Sequence, residues 1–161
     1  MDKHEPKRLK EAEDKGIEIL RFNHEYKGFN TELRVVKQTS THWTRTVGGR
    51  SGVELEILDP ADQMVGKILG YWRKNGDEVE LQSAHTSNEP ENDSQKHIPR
   101  VIGATITQLL RKEIISVWRS DFELSPQAIN MYTWLSHQEG LLVKSPTPET
   151  HMRFMVTRTQ G

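Results

Sequence analysis

The chain has 161 residues, no cysteine, 22 lysines and arginines against 23 acids, and only 34% hydrophobic residues, a share that 11 glycines do not lift to the about 45–50% usual for globular domains. One domain with a thin core is expected; a formal charge of -1 and a pI near 6.7 exclude a chain built mainly to coat nucleic acid or an anionic membrane. The missing cysteines exclude a disulfide framework, zinc–thiolate sites and a thiol nucleophile, and no apolar run approaches the about 18 residues of a membrane span.

Residues 1–16 hold Asp2, Glu5, Glu11, Glu13 and Asp14 against Lys3, Lys7, Arg8, Lys10 and Lys15, and Leu9 is the only large aliphatic residue after Met1. So little can be buried that a frayed, solvated tail is expected, followed by a single domain over 17–161. The start also lacks the apolar stretch of a secretory leader, so a soluble cytoplasmic protein is expected. Ile17, Ile19 and Phe22 suggest a first strand; Leu33, Val35 and Val36 suggest a second. The stretch from Thr41 to Gly52 reads as an irregular or β segment with a glycine-rich turn.

Val53, Leu55 and Ile57 alternate with Glu54, Glu56 and Leu58 before Asp59-Pro60 opens a turn. A strand from Met64 to Trp72 runs into Lys74-Asn75-Gly76-Asp77, where Asn-Gly predicts a hairpin with positive φ at both turn positions. A third strand follows, with Val79, Leu81 and Ser83 on one face and Glu80, Gln82 and Ala84 on the other. Residues 53–84 are therefore expected to form a three-stranded antiparallel meander. Residues 86–97 are polar and read as a loop. After Pro99, Ile102, Ile106, Leu109 and Leu110 predict a helix with Thr107, Gln108 and Arg111 on its polar side. Ile114, Ile115, Val117 and Trp118 predict a buried strand. Ser125 as N-cap and Pro126 at the first position start a second helix, with Ala128, Met131, Tyr132 and Leu135 as its apolar stripe and Gly140 as its stop. Leu141–Val143 and Met152–Val156 predict two closing strands.

Two stretches can carry chemistry. Arg100-Val101-Ile102-Gly103-Ala104-Thr105 enters a helix, where free N–H groups beside a glycine can hold a phosphate or pyrophosphate, although Gly103 could equally serve close packing. Tyr132, on the later helix, would need a partner for its hydroxyl and could act at a cleft as a proton donor to a departing thiolate.

The succession of meander, R-x-x-G-A turn, helix, strand and S-P-x-A-x-x-x-Y helix resembles the GNAT superfamily of N-acetyltransferases, over residues 53–157, about two thirds of the chain. The resemblance implies an α/β (α+β) fold with a mixed, mostly antiparallel central sheet, helices packed on it, and splayed strands forming an acyl-CoA cleft. It implies acetyl-CoA as co-substrate and direct transfer of the acyl group to an amine on a small molecule or protein, with no metal. The turn from Arg100 through Val101, Gly103, Ala104 and Thr105 would hold the pyrophosphate; Arg100 and Gly103 match the family pattern, while Thr105 stands where Gly or Ala is usual. Ser125 would lie near the pantetheine arm and Tyr132 would protonate the CoA thiolate. The resemblance points to Glu80 as base, with His85 at the end of its strand. Main-chain N–H groups near Gln82 and Ala84 would polarise the thioester carbonyl, and Asp121 would bind a cationic acceptor. The amino-terminal third departs from the family, because Tyr26 to Gly52 has β character where GNAT proteins carry helices.

Other classes find less support. The seven histidines show no H-x-H or H-E-x-x-H spacing, so no metal site is expected, and no phosphate loop of the G-x-x-x-x-G-K-[ST] type occurs. A non-catalytic module on the same fold would be consistent with Thr105 and with the acidic loop residues Glu89, Glu91 and Asp93. Trp43, Arg45 and Arg50 with Tyr71, Trp72, Arg73 and Lys74 mix aromatic and basic residues as single-strand binders do. The simpler account is cationic stems covering aromatic edges, which makes nucleic acid a disfavoured partner. The expectation includes no membrane association and leaves room for a homodimer.

Overall fold

The computed structural model describes residues 16–38, 46–47, 50–87 and 98–159. The charged tail, Trp43 and Arg45, the Gly48-Gly49 pair, and Glu89, Glu91, Asp93, Lys96 and His97 lie outside the described residues. Strands β1 (Ile17–Tyr26) and β2 (Phe29–Lys37) form a hairpin whose two loop residues, Lys27 and Gly28, both have positive φ. That twist matches the strands it joins. Short β3 (Thr46–Val47) pairs with the start of β4 (Arg50–Leu58), which lies antiparallel to both β2 and β5 (Met64–Asn75). The expected meander is completed by β6 (Glu78–Ser87). Its turn differs in detail: Asn75 is still paired, with Glu78, and of the two loop residues only Gly76 has positive φ. A single glycine at the first loop position is the other favoured hairpin turn.

Helix α1 (Val101–Arg111) crosses to β7 (Val117–Arg119), which pairs parallel with β6; α2 (Pro126–Ser136), β8 (Leu141–Lys144) and β9 (Met155–Arg158) complete the chain. The main sheet order is β1-β2-β4-β5-β6-β7-β9-β8, with every pairing antiparallel except β6 with β7. The described residues thus form a mixed α/β structure with one mostly antiparallel sheet and two α-helices. Neither helix is long and apolar enough to cross a membrane. No helix stands between β1 and β2, so the β character expected for the amino-terminal third holds where it is described.

The core lies between the sheet and α1. Leu33, Val35, Val53, Leu55, Ile57, Val65, Ile68 and Leu81 are fully buried on one face, and α1 meets them with Val101, Ile106, Leu109 and Leu110. Period-two burial on strands against a helix is what the hydrophobic pattern dictates. The expected polar side of α1 is the exception. Arg111 is exposed and Gln108 half-buried as expected, but Thr107 is buried on the side near Gly103, where α2 packs, and Thr105 is buried as well. Their hydroxyls are satisfied within the helix, Thr105 donating to Val101 O at 2.8 Å and Thr107 to Gly103 O at 2.9 Å. Gly140 is also displaced from its expected role: α2 ends at His137, and Gly140, at φ 85°, instead turns the chain into β8.

Three bulges interrupt the sheet among the described residues: one in β1 between Glu18 and Leu20, one in β6, where Gly70 pairs with Ser83 but Leu69 pairs with His85, and one in β5, where Ile57 pairs with Gly66 but Leu58 with Met64. Ala84 is the extra residue in the second, and the strand bends there. Gly70 permits it, since a Cβ at this position would stand 2.2 Å from the Gln82 carbonyl oxygen. Gly70→Ala should therefore destabilise the fold by about 1–3 kcal/mol or more, read as a lower midpoint in urea denaturation; an unchanged midpoint would mean that the bulge has slack.

Candidate functional site

The parallel ladder between β6 and β7 is only three residues long, Glu80–Gln82 against Val117–Arg119. At Ser120 the chain turns toward β9, with its N–H donating to Phe154 O and its hydroxyl accepting from Phe154 N, both at 2.9 Å. Strand β6 continues from Ser83 to Ser87 without β7 beside it. Past the end of that ladder lies an open cleft of about 1010 Å³, at the upper end of the about 300–1,000 Å³ usual for ligand pockets.

Four segments line it. The bulged end of β6 gives Ser83, His85, Thr86 and Ser87; the turn into α1 gives Pro99, Arg100, Ile102 and Gly103. The loop after β7 contributes Asp121, Glu123, Leu124 and Ser125, and α2 contributes Gln127, Ala128, Asn130, Met131 and Tyr132. Tyr26, at the end of β1, completes the wall. The cleft brings together Arg100, Gly103, Ser125, Tyr132, His85 and Asp121, residues that the sequence reading selected from segments far apart in the chain.

Both helices present their amino ends here, and neither has an acidic residue in its first turn. Ser125 caps α2, its hydroxyl accepting from Ala128 N at 3.1 Å. Helix α1 begins differently. Arg100 occupies its N-cap with left-handed geometry, φ 60° and ψ 22°, and its own side chain makes no capping hydrogen bond. The first helical bond is Ala104 N to Arg100 O at 2.9 Å, which leaves the N–H groups of Val101, Ile102 and Gly103 outside the helical ladder. The side chains of Val101, Ala104 and Thr105 are buried, so those positions can offer the cleft only main chain. Thr105 in place of Gly or Ala thus leaves the cleft surface unchanged. Gly103 has a packing requirement of its own: a Cβ there would stand 2.7 Å from the Trp134 ring, so the glycine sets the approach of α2 to α1.

Tyr132 is 3% exposed, its ring stacked on Phe154 with centroids 4.5 Å apart, and its hydroxyl accepts from Trp118 Nε1 at 2.7 Å. Among the described residues no acceptor for its own proton is found, and the residue lines the cleft. Burial raises the phenol pKa well above its ordinary 10.0 against the opposing effect of the Trp118 bond, and the negative charge of Asp121 adds to the rise. Tyr132 therefore stays neutral at any physiological pH.

Glu80 is held elsewhere. Its carboxylate accepts from Arg119 Nε at 2.7 Å, and it is not among the residues lining the cleft. Gln82 accepts from Arg153 through its amide oxygen, and Gln82 and Ala84 also stand outside the lining, where the inward alternation places Ser83 instead. Sequence reasoning missed Tyr26, Asn130 and Gln127. Tyr26 becomes visible only once β1 and β2 are known to be a tight hairpin whose end reaches Arg100. That guanidinium hydrogen-bonds the Tyr26 hydroxyl, holding its pKa below the usual value, and also stands 5.6 Å over the Trp134 ring.

Of the aromatic and basic cluster considered for nucleic acid, Trp72 is covered by Lys37, whose ammonium lies 4.8 Å from its ring centroid. No group of three or more potential metal ligands comes together among the described residues. No protein-family model and no curated protein matches the chain.

Because Trp118 would lose the acceptor for its buried indole N–H, Tyr132→Phe should lower stability by about 1–3 kcal/mol in urea denaturation, and adding Trp118→Phe should recover part of that loss. The raised phenol pKa has its own signature. Its contribution to stability is fully present below pH 10.0 and is lost as pH rises toward the folded value, because the unfolded phenol ionises first. Denaturation midpoints should fall above pH 10 in the parent protein and fall less in Tyr132→Phe.

Proposed function

We propose that the chain is an acyltransferase of GNAT type, moving an acetyl or other acyl group from acyl-CoA directly to an amine. One observation carries the reading: a single cleft holds the Arg100–Gly103 turn, the end of β6 beyond its ladder with β7, and the α2 amino end with Tyr132. These are the parts that acyl-CoA transfer needs together. The resemblance noted in the sequence supports it, and the open interval beyond the β6–β7 ladder is where splayed strands would admit the pantetheine arm. The N–H groups of Val101, Ile102 and Gly103, which stand outside the helical ladder, and the Arg100 guanidinium favour a pyrophosphate. Ser125 and Ala128 would flank the pantetheine.

In the reaction the amine lone pair attacks the thioester carbonyl carbon, the C–N bond forms, the C–S bond breaks and CoA leaves as thiolate. Main-chain N–H groups at the bulge, around Ser83 to His85, would support the oxyanion. Tyr132 would give its proton to the sulfur. Its raised pKa makes it a weak acid but a reliably protonated one, so it would act as a hydrogen-bond donor that follows the sulfur as charge develops. The acceptor arrives as an ammonium and must lose a proton. Glu80, the base implied by the resemblance, would first have to release Arg119; His85 and Asp121 already line the cleft. With no cysteine in the chain, no acyl-cysteine intermediate can form.

Isothermal calorimetry with acetyl-CoA is the direct test, and absence of heat together with absence of a thermal shift at millimolar ligand would sink the proposal. Thiol release in the presence of a panel of amines reads turnover. Tyr132→Phe should lose about 10²-fold in turnover while binding acetyl-CoA within a few-fold. Turnover in Glu80→Gln should stay within about threefold of the parent, against losses of about tenfold or more in Asp121→Asn or His85→Ala; the opposite ranking would return the base to Glu80.

A further inference from the structure

His24 takes no part in the chemistry above, yet it is a polar side chain buried to 4% exposure in an aromatic sleeve. Its ring lies 6.4 Å from that of Phe22 and 6.2 Å from that of Phe29. Among the described residues one hydrogen bond is recorded for it, from Nε2 to the Pro99 carbonyl oxygen at 2.7 Å, spanning 75 residues of sequence. A carbonyl only accepts, so Nε2 must carry a proton. The bond lands on the residue before Arg100, whose left-handed N-cap geometry is uncommon for a residue with a side chain. Such a conformation persists only where its surroundings over-determine it. Here Ile98 is anchored in the core at 1% exposure, the Pro99 carbonyl is held by His24, and the Arg100 guanidinium lies between Trp134 and Tyr26. Two of those holds come from β1, the strand outside the part of the chain that resembles acetyltransferases.

We propose that His24 is a positioning residue for this cleft: its imidazole fixes the Pro99–Arg100 turn and so aims the first N–H groups of α1 at the diphosphate of a CoA-type ligand. The inference rests on the acyl-CoA reading given above. Replacing the imidazole by an apolar side chain of similar size removes the His24 donor from the half-buried Pro99 carbonyl, and the turn is then free to relax away from the left-handed geometry. The effect falls on the phosphate-bearing end of the ligand and spares the thioester end. A histidine that merely fills the core would show no such division.

NMR titration of the whole chain with acetyl-CoA and with S-acetylpantetheine, which lacks the diphosphate, separates these cases and monitors folding in the same spectra. His24→Leu is expected to bind acetyl-CoA about tenfold more weakly and S-acetylpantetheine within twofold of the parent, while His24→Gln, whose amide can still donate to Pro99, stays within about threefold for both. Parent-like binding of acetyl-CoA by His24→Leu, or equal loss for both ligands, would overturn the proposal. A parent protein that binds neither ligand overturns the acyl-CoA reading first, and the role of His24 with it. Should His24→Leu not fold, the imidazole nitrogen resonances of the parent decide. A slowly exchanging Nε2 proton that shifts with acetyl-CoA and not with S-acetylpantetheine supports the assignment, and an unprotonated or unresponsive Nε2 overturns it.

Discussion

The brevity of the β6–β7 ladder governs everything else at the site. Three residues of parallel pairing hold the two halves of the sheet together, and the ladder ends because Ser120 commits its main chain and hydroxyl to Phe154. Had β7 followed β6 to Ser87, the cleft would be filled by sheet. The interval exists because β9 competes for β7 at the point where β6 bulges. Backbone groups that leave a ladder need other partners, and the end of β6, paired with β5 on one side, runs past its ladder with β7 on the other.

Packing around this interval uses few atoms, as the low apolar content requires. One helix, α1, is covered on two sides and fills the space over the sheet, so nine of its eleven residues are buried. The second helix is held against it by Trp134 on Gly103, a contact that admits no side chain at 103. The same helix carries Tyr132 to Trp118, so a core hydrogen bond and a place in the cleft wall belong to one side chain. Structural and chemical roles are merged at Tyr132, and a substitution there disturbs both.

The sequence exposed the regular parts of this fold well. The alternation of Val53, Leu55 and Ile57 and the Asn-Gly turn placed the meander, and Ser125-Pro126 placed the start of α2, because these signals are local. Signals that depend on tertiary partners were less legible. Thr107 looked solvent-facing because nothing in the pattern shows that α2 will cover it. Glu80 looked available as a base because its partner Arg119 lies 39 residues away. The main chain near Gln82 and Ala84 stood out in the sequence, but the bulge that brings Ser83 and His85 to the cleft depends on Gly70 in the neighbouring strand. Arg100, Gly103, Ser125 and Tyr132 are linked in the sequence only by the resemblance in motif order, since periodicity alone does not bring their segments to one cleft.

The β1–β2 hairpin has a consequence for how the chain can be divided. The stretch that resembles a known family begins at residue 53, and a boundary drawn there would appear natural. Yet Leu20, Phe22, Leu33 and Val35 belong to the same buried cluster as the meander and α1, and β2 covers the edge of β4. A fragment starting at residue 53 would expose that edge and open the core beneath it, inviting strand addition from another copy. The amino-terminal third is therefore no appendage. Strands β1 and β2 belong to the same folded unit as the meander, so the stretch that carries the resemblance is shorter than the core it is packed into.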